Sequence, residues 1–264
     1  MQHLLPFMPP SPLVNVVRLN GIIAAGGRGL NDAALAPVFE RAFSKGKPKA
    51  IALVLNSPGG SPAQSSLIGA RIRRLSVEKK VPVIAFVEDV AASGGYWLAC
   101  AADEIIVDPN SVVGSIGVIS ASFGFHDAIS RIGVERRVHT AGRSKSFLDP
   151  FRPEKEEDVA RLVDLQEHIH DNFIGHVKER REGKIDPDAD LFTGEIWVGQ
   201  RAVDVGLADG VGHLVPELKK RFGEKTRFNV FGQKRSLLKR LGLEAAHLIP
   251  DAIEERALWA RYGL

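Results

Sequence analysis

The sequence is poor in the features that would place it outside an ordinary α/β fold. Its one cysteine, Cys100, permits no internal disulfide and argues against a cysteine-based metal cluster. No stretch reaches the roughly 20 apolar residues that cross a bilayer. Residues 1–10, Met1-Gln2-His3-Leu4-Leu5-Pro6-Phe7-Met8-Pro9-Pro10, lack a basic n-region, and prolines break them before an apolar leader core forms. The expectation is therefore a chain without a transmembrane anchor, cytoplasmic or peripheral to a membrane, in a reducing compartment. Low-complexity tracts and long charge runs are missing too. With 44% hydrophobic and 25% charged residues, a mainly disordered chain is disfavoured. The net charge of +3 is small for 264 residues, and Lys and Arg alternate with Asp and Glu. No zinc-knuckle or RNA-binding motif accompanies them, so a nucleic-acid partner is not expected. There is no Gly-x-x-x-x-Gly-Lys-Ser/Thr phosphate loop and no Gly-x-Ser-x-Gly elbow. No metal or cofactor is expected.

What the sequence does contain is a repeated strand, Gly-rich turn and helix. After a proline-rich lead over 1–12, Leu13 to Ile23 reads as one or two strands with a turn at Asn20-Gly21. Asn31 or Asp32 caps a helix through Phe43 whose apolar positions Leu35, Val38, Phe39 and Ala42 share one face. Ala50 to Leu55 is a continuous apolar run, the pattern of a parallel strand buried on both faces. Asn56-Ser57-Pro58-Gly59-Gly60-Ser61-Pro62 is a turn leading into a helix from about Ala63 to Leu75. The unit recurs as Val83 to Val87, Ala91-Ala92-Ser93-Gly94-Gly95-Tyr96-Trp97, a helix to about Ala102 and a strand at Glu104 to Val107. The spacing predicts a further strand at Gly114 to Ile119, a helix over Phe125 to Ile132 and a strand over Glu135 to His139. A long charged helix follows over Pro153 to Arg181, then a short one around Gln200 to Val205. Near the C-terminus Lys234, Arg235, Lys239 and Arg240 alternate with Leu237, Leu238, Leu241 and Leu243. That basic amphipathic pattern suits a packed helix, a membrane surface or another subunit. The expected division is a lead (1–12), a catalytic-type body (13–215) and a basic extension (216–264).

Right-handed crossovers put both Gly-rich turns at the C-terminal edge of one parallel sheet, so two helix N-termini face one cleft. Ser93 falls at the second of them, where free N–H groups and the helix dipole stabilise an oxyanion. A serine nucleophile needs a base. The Ser-x-x-Lys stretches at Ser44 and Ser76 lie in charged segments without the partner motifs of β-lactamases, and His213 or His247 would have to serve a hydrolase triad without its elbow. Lys145, in Ala141-Gly142-Arg143-Ser144-Lys145-Ser146-Phe147-Leu148, is the remaining candidate. Apolar neighbours or a nearby cation favour a neutral lysine, and Arg143, Phe147 and Leu148 are of that kind. The residues alone leave open a turn serine and a surface lysine.

Four ordered motifs, Asn56-Ser57-Pro58-Gly59-Gly60, Ala92-Ser93-Gly94-Gly95-Tyr96, Gly114-Ser115-Ile116-Gly117-Val118 and the Lys145 loop, followed by Thr193-Gly194 and Gly206-Leu207-Ala208-Asp209, change that balance. With them the chain resembles the signal peptide peptidase A (SppA/SohB) family of serine peptidases, across nearly its whole length. The resemblance implies an α/β fold of repeated ββα units with a parallel sheet and flanking helices, as in Clp proteases and crotonases. It implies Ser93 as nucleophile, Lys145 as general base and Ser115 as the serine that orients the lysine. The backbone N–H groups of Gly60 and Gly94 would form the oxyanion hole, the choice between Gly59 and Gly60 being open. The expected activity is a metal-independent Ser-Lys endopeptidase acting on hydrophobic or signal-peptide-derived peptides. Known single-unit members are ring-shaped octamers, which implies a homo-oligomer with active sites shared between subunits and peripheral contact with a membrane. Family members usually carry an N-terminal membrane anchor or a double-length chain, and this sequence shows neither. The rival readings are a non-catalytic membrane-associated scaffold of the same fold and a crotonase-like acyl-CoA hydrolase.

Overall fold

The computed structural model describes residues 11–26, 29–142, 145–232 and 256–263. Its frame is set by three apolar strands, β1 (Leu13–Asn20), β2 (Ala50–Ser57) and β3 (Val83–Ala92), which run parallel with β2 in the middle. Every residue of β2 is buried, as its uninterrupted apolar run demands. The strands are joined by α1 (Asp32–Ser44) and α2 (Pro62–Lys79). Asn31 caps α1 by accepting from the Ala34 N–H, and Ser61 caps α2 ahead of a proline at its first turn.

Beyond β3 the chain makes α3 (Gly94–Cys100), β4 (Glu104–Val107) and β5 (Val112–Gly114). The two short strands pair in succession with β3: Ile84 to Val87 with β4, then Val90 to Ala92 with β5. There follow α4 (His126–Arg131), α5 (Glu156–Arg180), β6 (Ile196–Val198), α6 (Gln200–Asp204), β7 (Gly210–Val211), α7 (Leu214–Phe222) and β8 (Arg227–Phe231). The sheet order is β6-β5-β3-β2-β1-β8, with β4 joining β3 to β7, and among the described residues the β5 to β6 pairing is its one antiparallel ladder. The fold is thus α/β with a mostly parallel sheet.

One face of the sheet packs its Val17, Leu19, Leu53, Leu55, Ala85 and Val87 against α1, α2 and α3, and this is the main core. The other face, with Val14, Val16, Ala52, Ile84 and Phe86, is packed by Leu218 of α7. Truncating a side chain such as Leu53 to alanine in the main core costs about 2–5 kcal/mol. Cys100 is buried there, and burial pushes its thiol up to about 12, which makes it a packing residue rather than a nucleophile.

α5 lies against α3 through Phe173 and Val177, with the Trp97 ring stacked on His176 at 4.4 Å. Just past α5, Arg181 is 2% exposed. It donates to the Gly206 carbonyl from two nitrogens, at 2.9 and 2.7 Å, and to the Asp209 carboxylate at 2.6 Å. Asp209 accepts in addition from Lys184 and from the Ile105 N–H, so the buried cation is paired as such a charge must be. Burial works against the ionised Asp209 carboxyl, but Arg181 and Lys184 outweigh it and hold the group below the usual carboxylate range. The Gly206-Leu207-Ala208-Asp209 motif is therefore a tie between α5 and the sheet. No helix among the described residues is long and apolar enough to cross a membrane.

Three local expectations are corrected. Glu135 to His139 forms no strand, because these residues run exposed along an arm with no ladder beside them. The strand expected over Gly114 to Ile119 ends at Gly114 and becomes a turn. β3 runs on through Ala92, into what reads locally as turn, because β5 gives its last three residues a second partner. Residue 215 lies within α7, and β8 after it pairs with β1. The basic stretch around 234–243 lies outside the described residues.

Candidate active site

The candidate residues gather where β2, β3 and β5 end. Parallel pairing sets Ala92 against Gly114, so the next residues, Ser93 and Ser115, stand side by side on neighbouring strands. The Ser93 N–H donates to the Gly114 carbonyl at 2.8 Å, which ties the backbone of Ser93 to the residue before Ser115. Both serines have φ of 51°, in the left-handed region that side chains avoid. Each such residue costs on the order of 1–3 kcal/mol and persists only when its surroundings impose it. For Ser115 the surroundings include its N–H bond to the Glu195 carbonyl at 2.6 Å.

The turn after β2 wraps around Ser93. Gly59 has φ of 101°, and a Cβ there would lie 2.8 Å from the Ser93 Cβ and from the Gly94 nitrogen. Gly60 has φ of 137°, and a Cβ on it would collide with the Ile23 carbonyl. Both positions therefore require glycine. Their N–H groups differ: that of Gly59 donates to Ser57 Oγ at 3.2 Å, whereas that of Gly60 has no backbone acceptor among the described residues. Gly94 opens α3, so its N–H has no intrahelical acceptor. A Cβ built on Gly94 would stand 3.4 Å from the Gly60 nitrogen, which puts the two free N–H groups next to each other beside Ser93. Such a pair is suited to an oxyanion.

Lys145 is set apart. It sits on an arm, residues 118–155, in which no described residue is buried. The arm is held to itself by Phe125 stacked on Phe151 at 5.6 Å and by Arg136 over the Phe151 ring. Among the described residues the Ser115 hydroxyl meets Tyr262 Oη at 3.4 Å, and no hydrogen bond joins Lys145 to Ser93 or Ser115. The structure thus assembles Ser93, Ser115, Gly59, Gly60 and Gly94, and leaves Lys145 outside.

Two histidines of α5 also reach this region. His170 Nε2 lies 3.0 Å from the Ile116 carbonyl, and His176 Nε2 lies 3.1 Å from the Trp97 carbonyl. Burial pushes the His176 imidazole below its ordinary value, against the opposing effect of its bond to Trp97. Both share the inward face of α5 with Phe173 and Val177, and that placement three and seven residues after His170 was the available signal.

Set beside known proteins, residues 76–222 match the model of peptidase family S49. The chain belongs to peptidase family S49. Within that family it is similar to the SppA/SohB proteins: it is 30% identical to the chloroplastic serine protease SPPA of Arabidopsis thaliana over 76% of this chain and 29% of that one. A protein of Brucella abortus named Na(+)/H(+) antiporter NhaA is 49% identical over 95% of this chain. This S49 chain spans only 37% of that protein's length, and the shared stretch includes the peptidase match. The S49 fold recurs in a solved structure of the 1510-N membrane-bound stomatin-specific protease in complex with a substrate peptide. There the TM-score is 0.54 at 17% identity, over 88% of this chain and 96% of that one. The matched segment contains Ser93, Ser115 and Lys145, while Gly59 and Gly60 precede it.

Proposed function

We propose that this S49 peptidase is a Ser-Lys endopeptidase in which Ser93 is the nucleophile and Lys145 the general base. The observation that supports it most is the pairing of Ser93 with Ser115 at the end of β3 and β5, beside the free N–H groups of Gly60 and Gly94. In this reading Ser93 Oγ attacks the scissile carbonyl and its proton passes to the neutral amine of Lys145. The developing oxyanion takes hydrogen bonds from Gly60 and Gly94. The lysine then protonates the leaving amine, and water, deprotonated by the same lysine, releases the acyl group from Ser93. Ser115 accepts a hydrogen bond from the lysine and aims it.

The base comes from a neighbouring copy of the chain. The exposed arm that carries Lys145 supports this, as do its outward apolar residues Ile119, Phe123, Ile132 and Val134. A homo-oligomeric ring would bury those side chains and complete each site at an interface. The substrates are hydrophobic or membrane-derived peptides, and the enzyme works at the membrane periphery. Family membership supports this choice, as does the membrane-bound, peptide-bound relative of the same fold.

The test is turnover of a hydrophobic peptide and labelling by a fluorophosphonate, in the parent, Ser93→Ala and Lys145→Ala proteins. Labelling is expected at Ser93 only, with turnover lost in both variants. Parental turnover in either variant sinks the mechanism.

A further inference from the structure

We propose that His170 is a positioning residue for the dyad: from α5 it pins the Ser115 turn through the Ile116 carbonyl. The inference rests on the Ser-Lys reading and extends it to a residue outside the chemistry. Ser115 has a left-handed backbone, and nothing intrinsic to a serine holds it there. On one side the turn is held from the segment before β6, where the Ser115 N–H donates to the Glu195 carbonyl at 2.6 Å. The Trp197 ring also closes over Gly114, where a Cβ would lie 2.8 Å from the ring. Within the turn the Gly117 N–H donates to the Ser115 carbonyl at 3.0 Å.

These restraints leave the Ile116 carbonyl without a sheet partner, while the Ile116 side chain is fully buried. His170 supplies the missing donor at 3.0 Å from a helix 54 residues further along the chain. A carbonyl accepts only from a protonated nitrogen, so this contact assigns the proton to Nε2.

The same helix grips the other half of the site. His176 donates to the Trp97 carbonyl, and Arg180 donates to the carbonyls of Cys100 and Ala102 at 2.9 and 3.1 Å. These are the C-terminal carbonyls of α3 and the residues just after it, which have no acceptor role inside the helix. α5 thus references the Ser115 turn and the Ser93 helix to one rigid body, and His170 is its contact with the turn. Losing it leaves the fold in place but lets the Ser115 hydroxyl wander from the position where it aims the base.

The experiment compares the full-length parent, His170→Phe and His170→Gln. It reads kcat and KM on a hydrophobic peptide and the rate of fluorophosphonate labelling at Ser93, each normalised to folded protein by circular dichroism. Phe keeps the aromatic bulk and removes the donor, whereas Gln retains an N–H donor. The expected result is a fall of about tenfold in kcat and in labelling rate for His170→Phe, with KM changed by less than about twofold. His170→Gln is expected to recover at least about half of the parental rate. Parental kcat and labelling in His170→Phe overturn the proposal, as does an equal loss in both variants. Ser93→Ala, run alongside, separates the two levels. If it is inactive while His170→Phe is parental, only the positioning role falls; if it keeps turnover, the Ser-Lys reading falls and takes this inference with it.

Discussion

The two halves of the proposed dyad sit in regions built on opposite principles. Ser93 and Ser115 end adjacent strands of a buried parallel sheet, and each has a backbone N–H bond that fixes it to another element. Lys145 rides on an arm in which no described residue is buried and which holds together through a few aromatic and guanidinium contacts of its own. The first region is rigid because backbone strain must be imposed by close packing. The second leaves Ile119, Phe123, Ile132 and Val134 exposed, and in the proposed reading these meet a neighbouring copy of the chain. On the proposed reading, every copy carries the nucleophile and oxyanion donors, and the base arrives on assembly.

The hardest blow to that comparison is a mixing experiment. Lys145→Ala is expected to lower kcat by on the order of a thousandfold or more, as loss of a base in such a dyad does. Mixing it with inactive Ser93→Ala protein, under conditions that allow subunits to exchange, is expected to restore a measurable fraction of turnover. Failure to restore any, with exchange demonstrated, places the base in the same chain as its serine. Next in size is Gly60→Ala. Its Cβ meets the Ile23 carbonyl at a φ reserved for glycine, so the oxyanion donor moves and activity drops about 100-fold or more. Thermal unfolding should show a loss of about 1–3 kcal/mol. An alanine at this position that leaves both quantities unchanged would mean that the turn does not touch the reaction.

A smaller effect concerns the clamp between α5 and α3. His176 is held below its ordinary pKa by burial, so the folded state favours the neutral ring. Its contribution is complete above the unfolded histidine value of about 6.5 and is lost as pH falls toward the lowered folded value. The parent should therefore lose more thermal stability between pH 7 and pH 5 than His176→Phe, which cannot titrate at that position. Parallel melting curves for the two proteins would contradict it. The smallest expected change is for Tyr262→Phe, which removes the 3.4 Å contact with Ser115 Oγ. If the base displaces that tyrosine on assembly, kcat should shift by no more than about twofold. A large loss would give Tyr262 a part in the site.

What could be read from the sequence follows the same division. The runs Ala50 to Leu55 and Val83 to Val87 announced buried strands, and the glycines after them announced turns that only glycine can make. Those signals are local, and parallel topology then places both turns at one edge. The arm defeated local reading because its β-type pattern at Glu135 to His139 finds no neighbouring ladder, and a strand exists only as part of one. The extension of β3 through Ala92 was equally hidden, being owed to β5, a strand of three residues. His170 and His176 showed only as histidines on a helix face, because the carbonyls they bind lie 54 and 79 residues away in sequence.

The bond from the Ser93 N–H to the Gly114 carbonyl sets limits on how the chain can lengthen or shorten. Residues added between Ser93 and Ser115 must bulge out at the Asp103 or Asp108–Ser111 turns without moving the pairing of Ala92 with Gly114. A slip of one residue there would bring Gly114 or Ile116 to the place of Ser115 and turn alternate side chains to the opposite face. The arm has no such register to keep. Insertions and deletions between 118 and 155 change the distance over which Lys145 can reach, while the serines stay where the sheet holds them.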